Sequence, residues 1–153
     1  MASLLMACGG FLLAVLWMDL IFDVQVFRYR KATELPESVL ASIAGYYHRA
    51  TTSSRPMSHV IALVMATLLG TLVLQAARGH DSGWLLVASA ALAGIPVMLA
   101  MTYTVPNAVR LGHREDGPSE QTRLARSVCR DHLVCAACIF AFLILWAANS
   151  TAI

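Results

Sequence analysis

Leu4 to Phe27 read LLMACGGFLLAVLWMDLIFDVQVF, an apolar run with Asp19, Asp23 and Gln25 set into its second half. The run exceeds the roughly 20 residues that a helix needs to cross the hydrocarbon core of a bilayer. A charge at that depth is costly, so it usually turns to the protein interior and finds a partner. Asp19 and Asp23 stand four apart, one helical turn, and so share a face. The rest of the chain is expected to shield and pair that face. No basic residue precedes the run, and it continues past the short core of a cleaved signal, so it reads as a span.

Three further segments repeat the pattern. With spans at about 4–27, 57–77, 84–105 and 132–148, the 153 residues form a single domain, an all-α polytopic membrane protein built as a four-helix up-down bundle. Composition agrees: charged residues are 13% of the chain, about half of what a soluble domain carries, and mean hydropathy is +0.66. Gly94 and Pro96 are expected to bend the third span. The arginines carry no fold motif for base or phosphate readout, which argues against a nucleic-acid partner.

The connection between the first two spans is patterned. After Pro36, apolar side chains recur at Val39, Leu40, Ile43, Tyr46, Tyr47 and Ala50, a 3.6-residue period. This predicts a short helix over about 37–50, lying at the membrane interface with its aromatic face toward lipid. Thr51 to Pro56 reads as a polar breaker, and Arg78 to Gly83 as a tight turn. The third connection breaks at Gly112 to Pro118. Beyond it Leu124, Val128 and Leu133 follow a near-helical spacing with Ser119 as a candidate N-cap, so the last helix is expected to start outside the bilayer. Its Arg123, Leu124, Arg126, Val128 and Arg130 suit anionic lipid or a protein groove.

Ten of the eleven Lys and Arg residues lie in the first and third connections: Arg28, Arg30, Lys31, Arg49, Arg55, Arg110, Arg114, Arg123, Arg126 and Arg130. The positive-inside rule places those two loops in the cytoplasm and both termini outside, as expected in a bacterial inner membrane. Arg28, Arg49 and Arg55 then read as interfacial anchors, and Trp84 and Trp146 as an outer aromatic belt.

With that orientation, all four helices bring polar groups to one layer. Asp23, and with it Asp19, is expected to pair with Arg130, Arg110 or His132, because an unpaired buried carboxylate would hold its proton or draw in water. Such a pair can simply fix helix register. Two acids together with Gln25, Asn107 and His132 exceed that need and point to a polar pocket opening toward the cytoplasm. Asp19, Asp23, Asn107, Arg130 and His132 are the candidate catalytic residues; Trp17, Gln25, Tyr103 and Arg110 are candidate substrate contacts. A carboxylate there would act as general base, with Arg130 or Asn107 steadying oxyanion charge.

Asp19, Asp23, His59 and His132 are the residues that a bundle-core metal site would use, although Glu-x-x-His and His-x-x-x-His spacings are both missing. The sequence names no cofactor. Cys135-Ala-Ala-Cys138 resembles the quinone-reducing pair of the vitamin K epoxide reductase family, but that family's second, outward pair is missing: the other cysteines are Cys8 and Cys129. Buried thiols in a helix are the better reading.

Tyr46-Tyr47-His48-Arg49, Pro56 opening the second span, and Thr104-Val105-Pro106-Asn107-Ala108-Val109-Arg110-Leu111 closing the third resemble the anthrone-oxygenase-like family of small four-helix membrane proteins. The resemblance covers most of the chain by layout and implies oxidation of a polycyclic anthrone; Asp19, Asp23 and the Arg130-Asp131-His132 run do not map onto it. The expectation is an oxidoreductase for a small lipophilic, phenolic or quinone-like molecule. The alternatives are a proton-coupled transporter, or a non-catalytic subunit or assembly factor, with a homo-oligomer or a membrane-protein partner in view.

Overall fold

The computed structural model describes residues 1–79 and 82–150, apart from the side chain of Arg55. Among the described residues seven α-helices follow in order: α1 (Ala2–Asp23), α2 (Gln25–Arg28), α3 (Glu37–Thr52), α4 (Arg55–Arg78), α5 (Gly83–Leu99), α6 (Val105–His113) and α7 (Pro118–Ser150). There is no strand among the described residues. Four continuous stretches are long and apolar enough to cross a membrane: Ala2–Arg28, Pro56–Arg78, Gly83–His113 and Pro118–Ser150. α1 packs on α4 and α7, and α5 on the same two helices, which closes a four-helix ring. Leu63, Val73, Val87 and Met101 point outward. In the most apolar window of each span no more than 22% of residues are buried within the protein. Apolar surface of that extent needs hydrocarbon around it, so the chain is an integral membrane bundle.

The helix ends have local causes. Gly79 takes the left-handed conformation (φ 65°) that closes α4, a geometry glycine adopts without a Cβ penalty. The remainder of the expected 78–83 turn includes residues 80 and 81, outside the described residues, as does the anchoring side chain expected of Arg55. The breaker at 51–56 is shorter than expected: α3 runs to Thr52 and α4 begins at Arg55. In the third span the departure from α geometry comes after Pro96, as a wide π turn over Ala100–Thr104. It sits directly ahead of Pro106, which has no N–H to return to the carbonyl one turn back. α6 carries through Gly112 to His113, and Arg114 in a left-handed conformation (φ 57°) ends it. The Arg114 guanidinium grips both Glu37 oxygens at 2.7 and 2.8 Å, tying that corner to the start of α3. Ser119 does not cap α7; Pro118 already opens the helix and the Gly117 carbonyl accepts from the Gln121 N–H at 2.9 Å.

Two apolar cores stack along the bundle. One joins Leu5, Cys8 and Leu12 of α1 to Leu68, Leu85, Ile139, Phe142 and Trp146. The other joins Val39, Leu40, Ile43 and Tyr47 of α3 to Leu111 of α6 and Leu124, Ala125 and Val128 of α7. Two expectations are corrected here. The apolar face of α3 is docked on α6 and α7 rather than laid on lipid. Leu124 and Val128, expected to meet an external groove, are consumed by the same contact. A third correction concerns the aromatic belt: Trp84 is exposed, but Trp146 is buried and its indole N–H donates to Ser89 Oγ at 2.9 Å.

α3 approaches α6 closely because of one residue. A Cβ built on Gly112 would lie 2.8 Å from the backbone nitrogen of His48. Glycine there lets the two backbones touch and sets Tyr47, the neighbour of His48, over the end of the spans.

Candidate functional site

Between the two cores lies a polar layer formed by α1, α3 and α7. Asp23 is fully buried. Its Oδ1 accepts from the Tyr47 hydroxyl at 2.7 Å, and its Oδ2 accepts from His132 Nδ1 at 2.6 Å. Tyr47 has one hydroxyl proton, which it gives to Asp23, so its 3.3 Å approach to Nδ1 uses the phenol oxygen as acceptor. Both contacts place a proton on Nδ1, and His132 Nε2 then faces Asp19 Oδ2 at 3.8 Å. A carboxylate that fixes one ring nitrogen and leaves the other for chemistry is the usual way of orienting a working imidazole.

Asp19 is held separately. Its Oδ1 accepts from the Tyr46 hydroxyl at 2.6 Å, and the Tyr46 ring stacks on Phe22 at 4.1 Å between centroids. Burial, and then the hydrogen bond to Asp19, push the Tyr46 phenol well above its ordinary range. Burial and the Asp23 charge do the same to Tyr47. Both tyrosines therefore stay protonated and act as donors.

Asp19 and His132 form the polar end of a cavity of about 180 Å³. Leu12, Val15 and Leu16 of α1, Ile61, Met65 and Leu68 of α4, Ala93, Pro96 and Val97 of α5, and Cys135 and Ile139 of α7 line the rest, with Ala100 and Thr104 from the π turn. The pocket expected from sequence was polar; this one is apolar, with its acid–base groups at one end. An apolar cavity of about 150 Å³ accommodates benzene, so this one fits a single substituted ring. Asp19 also lines a second cavity, of about 320 Å³, between α1, α3 and the start of α4, together with Tyr46, Arg49 and Ser58. The carboxylate thus stands on the partition between the two spaces.

Of the candidate residues, the structure brings together Asp19, Asp23 and His132. Arg130 is 73% exposed at its side chain and bonds Asp131 Oδ1 at 3.1 Å. Arg110 pairs with Asp116 at 2.9 Å and Glu120 at 3.2 Å. Neither of these two expected partners of Asp23 reaches it. Gln25 donates to Ser42 Oγ at 3.3 Å and pins α2 to α3. Asn107 is half-buried on α6, outside the cavity lining. Trp17 and Tyr103, 68% and 60% exposed, face outward. His59 is exposed at the start of α4 and does not line the cavity. Among the described residues no three His, Cys, Asp or Glu side chains converge as metal ligands, and His132 Nδ1 is already engaged by Asp23.

Tyr46 and Tyr47 were the omission. Their place on an apolar helix face reads from sequence as lipid-facing; the available signal is that a buried tyrosine hydroxyl normally requires a partner. All four cysteines are free thiols; Cys135, in the cavity wall, has its Sγ 3.9 Å from the Pro96 carbonyl.

Comparison with protein-family models, with curated proteins and with solved structures finds no match.

Proposed function

We propose that this chain is a membrane oxidoreductase that admits a single-ring, lipophilic phenol or hydroquinone to the apolar cavity and removes its hydroxyl protons with the Asp19–His132 pair. The observation that carries the reading is the pair itself: two proton-exchanging groups 3.8 Å apart at the polar end of a ring-sized apolar space. A ring in the cavity presents its hydroxyl to His132 Nε2 or the Asp19 carboxylate, either of which accepts the proton. With dioxygen as electron acceptor, a hydroquinone gives up two protons and two electrons, and quinone and hydrogen peroxide form in equal amounts. The resemblance to anthrone-oxygenase-like proteins supports an oxygen-dependent step on a phenolic compound. The cavity volume favours one ring over fused rings. In this reading the basic loops and α3 face the cytoplasm of a bacterial inner membrane, and both termini lie outside.

The test uses the full chain in mild detergent with 1,4-hydroquinone, following dioxygen uptake and quinone absorbance together. Native protein should form quinone, and Asp19→Asn and His132→Gln should each slow it by roughly 100-fold or more. No turnover by native protein, or an unchanged rate in a folded Asp19→Asn variant, overturns the reading.

A second reading, a proton-coupled carrier, draws on Asp19 lining both cavities. An intramembrane carboxylate with access to two spaces is the part such a carrier needs. Substrate-dependent proton flux in proteoliposomes that Asp19→Asn abolishes would favour it over the enzyme.

A further inference from the structure

A third cavity, of about 350 Å³, lies on the other side of α7, between α7 and the α2 end of the first span. Its walls divide by chemistry. Arg30, Arg126 and Arg130 line it together with the apolar Phe27, Leu133 and Val134. Arg126, Arg130 and Val134 are spaced by four, so one stripe of α7 passes from two guanidiniums to hydrocarbon within two turns. Phe27, Leu133 and Val134 are 50%, 39% and 41% exposed, and join the groove to the lipid-facing surface.

The three arginines together carry more charge than the neighbouring acid offsets. Arg126 uses Nη2 on the backbone carbonyls of Tyr29 and Ala32, at 3.2 and 2.6 Å. This fixes the guanidinium and cancels none of its charge. Arg130 reaches Asp131 Oδ1 through Nε and Nη2 and keeps donors over, because a guanidinium has five. Arg30 makes no ion pair among the described residues. Three cations against the Asp131 carboxylate, with the nearby Asp23 already engaged by Tyr47 and His132, leave a net positive groove at the level where the bundle becomes apolar.

We propose that this groove is a binding site for an anionic phospholipid, whose phosphate sits among Arg30, Arg126 and Arg130 while an acyl chain runs down over Phe27, Leu133 and Val134. Charge complementarity selects the headgroup. Continuity with the lipid-facing surface selects a lipid over a soluble anion or a protein segment, since the guanidiniums and the apolar wall must be satisfied by one molecule. The groove shares no lining residue with the Asp19–His132 cavity, so this inference is independent of the proposed reaction.

The experiment is native mass spectrometry of the full chain released from micelles doped with equal phosphatidylglycerol and phosphatidylcholine. Native protein should retain phosphatidylglycerol preferentially. Each surface arginine contributes roughly fivefold to anionic-lipid binding, so Arg30→Gln/Arg130→Gln should lower the preference by roughly 25-fold. That pair spares Arg126, whose carbonyl bonds hold the loop after α2. Arg28→Gln, an exposed arginine outside the groove lining, should leave the preference in place. Equal retention of the two lipids by native protein overturns the site, as does a double variant that keeps the native preference or an equal loss in Arg28→Gln. Retention of inorganic phosphate in place of lipid also overturns it.

Discussion

Tyr47 bridges two core residues of the site, and its hydroxyl is the hydrogen bond most exposed to test. Replacing it with Phe leaves one oxygen of a fully buried carboxylate without its donor, which costs about 1–3 kcal/mol. Denaturant unfolding in detergent should show that loss for Tyr47→Phe and a smaller one for Tyr46→Phe, because Asp19 borders two cavities and water can replace the phenol. The same residues impose an alkaline limit. Both phenols are raised above the ordinary value near 10. Their contribution is intact below about pH 10, where folded and unfolded phenols alike are protonated. It is lost as pH climbs toward the folded-state values, because the unfolded chain ionises first and binds fewer protons. Melting followed from pH 8 to 12 should fall steeply above 10 in the native chain. In Tyr46→Phe/Tyr47→Phe that fall should be shallower; equal slopes would remove the phenols from the explanation. The aspartates were legible because hydrocarbon composition makes any carboxylate conspicuous. Of their partners, His132 was named, but a charge count could not rank it above Arg110 and Arg130, and the phenols of Tyr46 and Tyr47 carry no charge to count. Arg110 and Arg130 are held by Asp116, Glu120 and Asp131, acids within ten residues of them on the same part of the chain. The Arg110 pairs are exposed and form with little loss of hydration, Arg130 is taken up by the adjacent Asp131, and Asp19 and Asp23 are left to tyrosine and histidine.

At the scale of elements, α3 was legible and its partner was not. A 3.6-residue apolar period is satisfied equally by lipid and by another helix, so the pattern at Val39 to Tyr47 could not separate an interfacial helix from one docked on α6 and α7. Gly112 held the answer, since glycine inside a helix weakens it unless a close approach requires it. Gly112→Ala should push α6 off the His48 backbone and destabilise the protein by about 1–3 kcal/mol. Gly70→Ala provides the contrast: nothing lies within 4 Å of the added Cβ, so the same substitution should be neutral or stabilising. Because α3 carries both tyrosines, Gly112→Ala should also reduce turnover, and a second-site enlargement elsewhere in α6 should not restore it. If Gly112→Ala matches Gly70→Ala in stability, the close contact does not hold α3 in place. Trp146 was misplaced for a related reason. An aromatic residue near a span end suits both a headgroup belt and a buried hydrogen bond, and only the fold supplies Ser89.

For the molecule as a whole, the spans, their order and the basic end followed from length and composition, whereas the cavity did not. Cavities arise where small residues of one helix face their neighbours across a gap, and Ala93 and Ala100 look from sequence like ordinary span residues, while Pro96 signals a bend and not a space. The cavity's position, beside the upper core and ending on the acid–base pair, distinguishes use from loose packing, and filling it tests the distinction. Ala100→Leu places a larger apolar side chain in the cavity wall and leaves the residues Asp19, Asp23, Tyr47 and His132 themselves unchanged. Filling apolar space should hold or raise thermal stability, by about 0.5–2 kcal/mol. Turnover of hydroquinone should nevertheless fall steeply, with the substrate concentration for half-maximal rate rising and the pH profile unchanged, because the proton-exchanging groups are intact. An Ala100→Leu protein that is folded, as stable as the native chain and equally active would mean that substrate reaches Asp19 from the Tyr46–Arg49 side. The second cavity would then be the working one.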